Sequence, residues 1–130
     1  MTIRIMTIDD YDRVYALWMS CRNMGFNDVD DSREGIGRYL RRNPGTCFVA
    51  EEGDALAGVI LCGHDGRRGC LYHVCVREDF RRQGIGKSMA AECMRALQNE
   101  GINKVSLIAF RENAVGNAFW HEENWQQRDD

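Results

Sequence analysis

The sequence predicts a single mixed α/β domain, and three observations support that fold class. The chain has 130 residues, which is the size of one ordinary domain. Hydrophobic residues make up 44% of the chain and charged residues 28%, a balance typical of folded rather than disordered proteins. Segments with the two-residue period of a strand alternate with segments of helical period.

The N-terminal third contains one strand followed by two helices. "TIRIM" alternates and predicts the first strand. Thr7, with Asp10 three residues later, predicts a capped helix start, and apolar residues at helical spacing continue to about Arg22. "NMGFNDVDD" is loop-like. "SREGIGRYLRRN" predicts a second, weaker helix, because its two glycines lower the helix propensity.

The rest of the chain adds four strands and two helices. "TCFVAEE", "ALAGVILCGHD" and "CLYHVCV" predict three strands joined by short turns. A helix follows from Ile85, and Gly101 is well placed to end it. "KVSLIAF" predicts a further strand, and "ENAVGNAFWHEEN" a short final helix. The predicted order over residues 1–130 is therefore β-α-α-β-β-β-α-β-α, with no linker between elements.

Composition excludes several classes of partner. Seventeen basic and 20 acidic residues give a net charge of −3, which argues against nucleic-acid binding. The N-terminus lacks a signal peptide, and no segment approaches the roughly 20 apolar residues needed to cross a bilayer. We therefore expect a cytoplasmic protein with no membrane partner. The six cysteines form no metal-site spacing, so we expect reduced core thiols and no metal.

The stretch "RRQGIGKSM" between a strand and a helix predicts a phosphate site. Gly84 and Gly86 let the backbone approach a ligand closely, and the helix start offers amide groups that have no partner within the helix. Two familiar loops do not match. A nucleotide-hydrolysing P-loop requires glycine where Arg81 stands, and a dinucleotide fingerprint requires glycine where Met89 stands. A pyrophosphate is the expected guest.

The pattern R-x-x-G-x-G within "YHVCVREDFRRQGIGKSM", together with the downstream "ENAVGNAFWHEENW", resembles the GNAT superfamily of acyl-CoA-dependent N-acyltransferases. The resemblance covers nearly the whole chain. It implies an N-acetyltransferase that moves an acetyl group from acetyl-CoA directly to a primary amine of a small molecule or peptide. It also implies a set of residues that hold coenzyme A, the first three through their backbone groups: Val74, Cys75, Val76, Arg81, Arg82, Gln83, Gly84, Ile85, Gly86, Lys87 and Asn113.

Two residues are candidates for catalysis. Many members of the family carry tyrosine, the usual proton donor to the coenzyme A sulfur, where this chain has Trp120. An indole could hydrogen-bond or wall the thioester, but it is a poor acid. His73 lies on the fourth strand, on the same face as Cys75, and is either a general base or a packed histidine.

The acceptor side is less defined by the sequence. Tyr15, Trp18 and Cys21 on the first helix either line an acceptor pocket or pack in the core. The chain ends at "NWQQRDD", where family members commonly continue into a further strand. The final strand would then be missing or supplied by another chain, which suggests a homodimer. A non-catalytic acyl-CoA-binding module is the alternative function.

Overall fold

The computed structural model describes residues 1–21 and 27–107. Within these ranges the predicted order of elements is confirmed, and the predicted final helix lies outside them. No helix in this part of the chain is both long and apolar enough to span a bilayer. The elements are β1 (Thr2–Ile5), α1 (Tyr11–Ser20), α2 (Arg33–Arg42), β2 (Phe48–Glu52), β3 (Ala55–His64), β4 (Gly69–Val76), α3 (Ile85–Asn99) and β5 (Val105–Leu107).

The strands form a mixed sheet in the order β1-β2-β3-β4-β5. The first four strands pair antiparallel, and β5 pairs parallel to β4 because α3 carries the chain back across the sheet. Alternate residues of β2 face opposite clusters: Val49 packs with α1 and α2, whereas Phe48 and Ala50 pack with α3. The sheet therefore separates two hydrophobic layers.

An irregularity in β4 sets the direction of the side chains near its end. Val59 pairs with Cys75 but Leu61 pairs with Tyr72, so two residues of β4 oppose one residue of β3. His73 lies at this bulge and has a φ of 49°. Its ring packs edge-on against the Trp18 indole, with 5.2 Å between the ring centroids. The expectation that His73 shares a face with Cys75 is confirmed, because both lie on the side of α1.

The start of α2 lies directly against the turn that precedes it. The Ser32 side chain accepts a hydrogen bond of 3.0 Å from the Gly35 N–H, as an N-cap residue does. A Cβ atom at Gly35 would lie 2.3 Å from the carbonyl oxygen of Asp30, so a side chain there would displace the turn. The lack of a side chain at Gly35 therefore lets the turn that contains Asp31 pack closely against the start of α2.

The predicted capping of the first helix is confirmed at Asp10. The Thr7 N–H donates a 2.9 Å hydrogen bond to Asp10 Oδ2, and a short 3₁₀ turn, Ile8–Asp10, leads into α1. The Arg4 guanidinium adds two hydrogen bonds, of 2.6 Å and 2.9 Å, to the same buried carboxylate. Arg4 also donates to Glu51 Oε1 at 2.7 Å, so the group ties β1 and β2 to the start of α1.

The Asp10 carboxylate should make stability depend on pH on the acid side. Burial alone would raise the pKa of Asp10, but the hydrogen bonds from Arg4 and from Thr7 outweigh it and hold the pKa below its ordinary value of 3.8. A group with a lowered pKa stabilises the fold above the unfolded-state value, and this contribution is lost as the pH falls through the folded-state value. We expect Asp10→Asn to lower the free energy of unfolding at pH 7 by about 1–3 kcal/mol.

Urea denaturation at pH 7 and at pH values below 3.8 measures this effect. The difference between wild type and Asp10→Asn should shrink on the acid side, because the wild-type carboxylate becomes protonated there. Asp9→Asn, at the exposed neighbouring carboxylate, is the matched control. A difference that stayed constant across this pH range would contradict the role given to Asp10.

Candidate active site

The loop between β4 and α3 turns the chain sharply into the helix. Arg82 has a φ of 65° and Gly84 a φ of 77°, so two residues in the left-handed region lie just before Ile85. The loop from Arg81 to Gly84 is exposed, and a Cβ atom at Gly84 would meet nothing within 4 Å. The approach to the start of α3 is therefore open among the described residues.

The start of α3 has the properties of an anion site. The Ser88 N–H donates to the Gly84 carbonyl at 2.9 Å, which is the first hydrogen bond of the helical pattern. The amide groups of the three preceding residues have no acceptor within the helix. The helix dipole adds positive potential at this end, and the exposed side chains of Arg82 and Lys87 add charge beside it.

The Arg81 side chain also forms a contact within the protein. Its Nε donates a 3.0 Å hydrogen bond to the carbonyl oxygen of Val76, which closes the loop back onto the end of β4. Arg81 also borders an open cavity of about 480 Å³ that reaches Ser20 at the end of α1. The remaining lining residues are Arg77, Glu78 and Asp79. The loop and the end of α1 thus share one surface depression.

Successive side chains at the end of β4 point to opposite faces of the sheet. The side chains of Val74 and Val76 pack on the α3 side, whereas Cys75 packs on the α1 side. The described residues of β5 pair with Gly69 to Leu71 of β4. The sequence-based role for residues 74–76 concerns their backbone groups, and their side chains pack as the sequence predicted.

His73 forms a close pair with an aspartate that sequence reasoning missed. His73 Nε2 lies 2.7 Å from Asp31 Oδ1, and Asp31 is buried, with 5% of its surface exposed. The Asn27 N–H donates to Asp31 Oδ2 at 2.8 Å, and the Tyr11 hydroxyl donates to the Asp31 carbonyl at 2.7 Å. The two partners are 42 positions apart, so no local pattern marks them as a pair.

A cavity of about 380 Å³ lies between α2 and β4, beside this pair. Burial raises the pKa of Tyr39, and a hydrogen bond with Cys70, followed by burial, raises the pKa of Tyr72 to about 12. Both hydroxyls are therefore uncharged at neutral pH. The described lining residues are Asn27, Asp30, Asp31, Ile36, Tyr39, Leu61, Tyr72 and His73.

Comparison with known proteins identifies the family. Residues 11–123 match the acetyltransferase (GNAT) family. The chain belongs to the GNAT acetyltransferase family. An acetyltransferase of Photorhabdus laumondii is 34% identical over 113 residues, which cover 87% of this chain and 78% of that protein. An acetyltransferase of Pectobacterium atrosepticum is 32% identical over 113 residues, covering 87% and 79%.

Solved structures agree on the GNAT fold. The PaiA N-acetyltransferase of Thermoplasma acidophilum, crystallised in complex with coenzyme A, superposes with a TM-score of 0.83 at 18% identity, covering 99% of this chain and 91% of that one. Ard1 of Thermoplasma volcanium superposes with a TM-score of 0.84 at 18% identity, covering 98% and 83%. The sequence-based assignment to this family is confirmed, and the chain is an acyltransferase.

The three acceptor-side candidates of this GNAT domain occupy different environments. Tyr15 is 41% exposed on α1, whereas Trp18 is buried at 1% and contacts the His73 ring. Cys21 follows the last residue of α1 and is bonded to Cys75. Two of the three therefore reach β4 next to His73. Asn113 and Trp120, also predicted for the site, lie outside the described residues.

One expectation about the cysteines is wrong. Cys21 and Cys75 form a disulfide whose Cα atoms are 6.8 Å apart, whereas the sequence suggested that all six thiols were reduced. The partners are 54 positions apart and meet only because α1 packs across the end of β4. Cys47, Cys62, Cys70 and Cys93 are free. Among the described residues, no group of three or more potential metal ligands is present.

The disulfide can be tested by counting thiols. In protein purified without reductant and then denatured, we expect four reactive thiols, and six after reduction, because only Cys21 and Cys75 are paired. A chromogenic disulfide reagent gives the count, and mass spectrometry of a digest identifies the linked peptides. Cys21→Ser should leave five reactive thiols, since Cys75 loses its partner. Six thiols in the unreduced protein would contradict the pairing.

Proposed function

We propose that this GNAT enzyme transfers an acetyl group from acetyl-CoA to a primary amine of a small molecule or peptide, within a ternary complex. The observation that carries the proposal is the open start of α3, which directly follows the left-handed Gly84 and lies next to the end of β4. Curated relatives that are acetyltransferases support the reaction class.

The residues of the loop suit the diphosphate of coenzyme A. Main-chain amides at the start of α3, from Ile85 to Lys87, would donate to the phosphate oxygens, with charge from Arg82 and Lys87. Arg81 would also keep the loop closed through its hydrogen bond to Val76. The pantetheine arm would lie along the backbone of residues 74–76, with Asn113 as a further partner. Gln83 and Gly86 complete the proposed set.

Direct transfer requires a deprotonated amine close to the thioester. A lysine-like amine has an ordinary pKa of about 10.4, so the site must take a proton before the nitrogen attacks. The nitrogen then bonds to the carbonyl carbon, the carbon–sulfur bond breaks, and the thiolate leaves. Holding both substrates together supplies much of the rate without a covalent enzyme intermediate. We propose His73 as the base and Trp120 as a wall of the thioester site.

The end of α1 is proposed to border the acceptor. The contact between Trp18 and His73 and the bond between Cys21 and Cys75 support this placement, and Tyr15 would form its exposed rim. A cytoplasmic location and a homodimer remain predictions from the sequence.

The phosphate loop can be tested with Gly86→Glu. We expect coenzyme A affinity to fall by at least about 100-fold, because a bulky anion would enter the diphosphate site; such a loss corresponds to about 2.7 kcal/mol. Isothermal titration calorimetry measures the affinity, and circular dichroism checks the fold. Gln98→Glu adds the same charge at the exposed far end of α3 and should bind normally. Normal affinity in folded Gly86→Glu would overturn the loop assignment.

Proton donation to the leaving thiolate can be tested at Trp120. We expect Trp120→Tyr to raise kcat at saturating acetyl-CoA, because a phenol can protonate the thiolate and an indole cannot. The rate of thiol release measures the change. Trp125→Tyr is the control for an effect of the substitution itself. An unchanged kcat would show that protonation of the sulfur does not limit turnover.

A further inference from the structure

The cavity between α2 and β4 lies where the thioester end of acetyl-CoA would lie if the coenzyme binds as proposed. The diphosphate site at residues 85–87 and the backbone of residues 74–76 define the direction of the pantetheine arm. Continuing along β4 in that direction, the next residue is His73, which lines the cavity. This inference rests on the proposed function: if coenzyme A binds as proposed, its thioester end reaches the cavity mouth.

The cavity has the charge and walls of a site for an amine. Its described lining includes two carboxylates, from Asp30 and Asp31, and no lysine or arginine. Such a lining attracts an ammonium ion and repels a carboxylate or phosphate on the same molecule. The rings of Tyr39 and Tyr72 meet edge to face at 6.2 Å and offer an apolar wall, which Ile36 and Leu61 extend. The volume suits a small molecule.

The hydrogen bonds of Asp31 orient the imidazole. Both carboxylate oxygens are engaged, one by His73 and the other by the Asn27 N–H. A carboxylate accepts, so the proton of neutral His73 lies on Nε2 and the lone pair lies on Nδ1. In the part of the chain that the structure describes, Nδ1 has no hydrogen-bond partner, and His73 keeps 16% of its side-chain surface exposed. The His73 ring that carries this lone pair lines the cavity.

We propose that this cavity is the acceptor site, that it takes a small primary amine carrying no anionic group, and that His73 removes the amine's proton while Asp31 acts as a positioning residue. The acceptor ammonium gives one proton to His73 Nδ1, and its nitrogen attacks the thioester carbon. The carbon–sulfur bond breaks, the second amine proton goes to the thiolate, and His73 releases its proton to water. The products are the amide, the free thiol and one proton.

The titratable groups that face His73 determine how proton removal by His73 depends on pH. Asp31 comes from the turn before α2, Tyr39 from α2 and Tyr72 from β4, while Asp30 lies at the rim of the cavity. The raised pKa values keep both tyrosines uncharged across the neutral range. Trp18 on α1 carries no charge, and the hydroxyl of Tyr11, whose pKa burial raises, donates to the backbone carbonyl of Asp31. The carboxylates are thus the charged neighbours of the imidazole among the described residues.

Matched pairs of amines test the acceptor class. With acetyl-CoA and wild-type enzyme, we expect tyramine to be acetylated with a kcat/KM at least about 100-fold above that of tyrosine, because only tyrosine places a carboxylate near Asp30 and Asp31. Phenethylamine and phenylalanine form a second pair. Equal rates within both pairs would overturn the acceptor class. Acetylation of a peptide amine, with no turnover of tyramine or phenethylamine, would also overturn it.

Variants of His73 and Asp31 test the proton transfer. Using the better amine of the panel, His73→Gln should lower kcat by about 10²–10⁴-fold and abolish the loss of kcat/KM on the acid side, since glutamine does not titrate. Asp31→Asn should lower kcat, because the imidazole loses the carboxylate that orients it. Asp28→Asn, at an exposed carboxylate of the same turn, should keep the wild-type profile. Wild-type kinetics in folded His73→Gln would overturn the role of the pair.

Two further measurements separate this inference from the proposed function. Calorimetry should show unchanged coenzyme A affinity in His73→Gln and Asp31→Asn. Long-range ¹H–¹⁵N spectra of the histidine rings, assigned with His73→Gln, should show the Nε2–H form in wild type and a change in Asp31→Asn; the Nδ1–H form in wild type would overturn the positioning role. Turnover that survives in both variants leaves the proposed acetyl transfer and coenzyme A site standing but removes His73 as the base, whereas no turnover of any amine removes both proposals.

Discussion

The irregular pairing between β3 and β4 is the constraint on which the rest of the site depends. Strict alternation after Tyr72 would send the next side chain to the α3 side of the sheet. The extra residue at the bulge instead keeps His73 on the same side as Tyr72 and returns Val74 to the α3 side. A histidine with a φ of 49° costs about 1–3 kcal/mol, and the contacts with Asp31 and Trp18 oppose that cost.

The same strand therefore serves two layers with different chemistry. On one side, β4 packs against α3, whose start carries the exposed amides and cations that suit a diphosphate. On the other side, it meets α1 and the turn before α2, which supply carboxylates and aromatic rings. The proposed cofactor anion and the proposed acceptor cation would therefore lie in separate electrostatic environments, on the two sides of a single strand.

The contacts that support the proposed acceptor side come from several elements of the fold. The ion pairs of Asp10 with Arg4, and of Arg4 with Glu51, hold the start of α1 against the sheet. The close contact between Gly35 and the Asp30 carbonyl holds the turn that contains Asp31. Because a hydrogen bond tolerates only a few tenths of an ångström, the rigidity of these supports decides whether the histidine stays aligned. The Cys21–Cys75 disulfide adds a covalent restraint between the end of α1 and β4.

The sequence by itself determined the features that depend on neighbouring residues. Hydrophobic periods located the described strands and helices, Thr7 and Asp10 marked the first helix start, and Gly84 and Gly86 marked the loop proposed to bind phosphate. Each of these signals acts over a few positions, so a single sequence is enough to reveal it. Asn113 and Trp120 were implied by the resemblance to the family and stay predictions.

Only the tertiary structure decided which distant residues meet. The pairing of His73 with Asp31 spans 42 positions and that of Cys21 with Cys75 spans 54, and the sequence suggested neither. The bulge at His73 and the hydrogen bond from Arg81 back to Val76 were also not predicted. The two long-range pairings arise because α1 and the turn before α2 dock on one face of the sheet. That arrangement is a property of the packed core as a whole, and no short stretch of sequence encodes it.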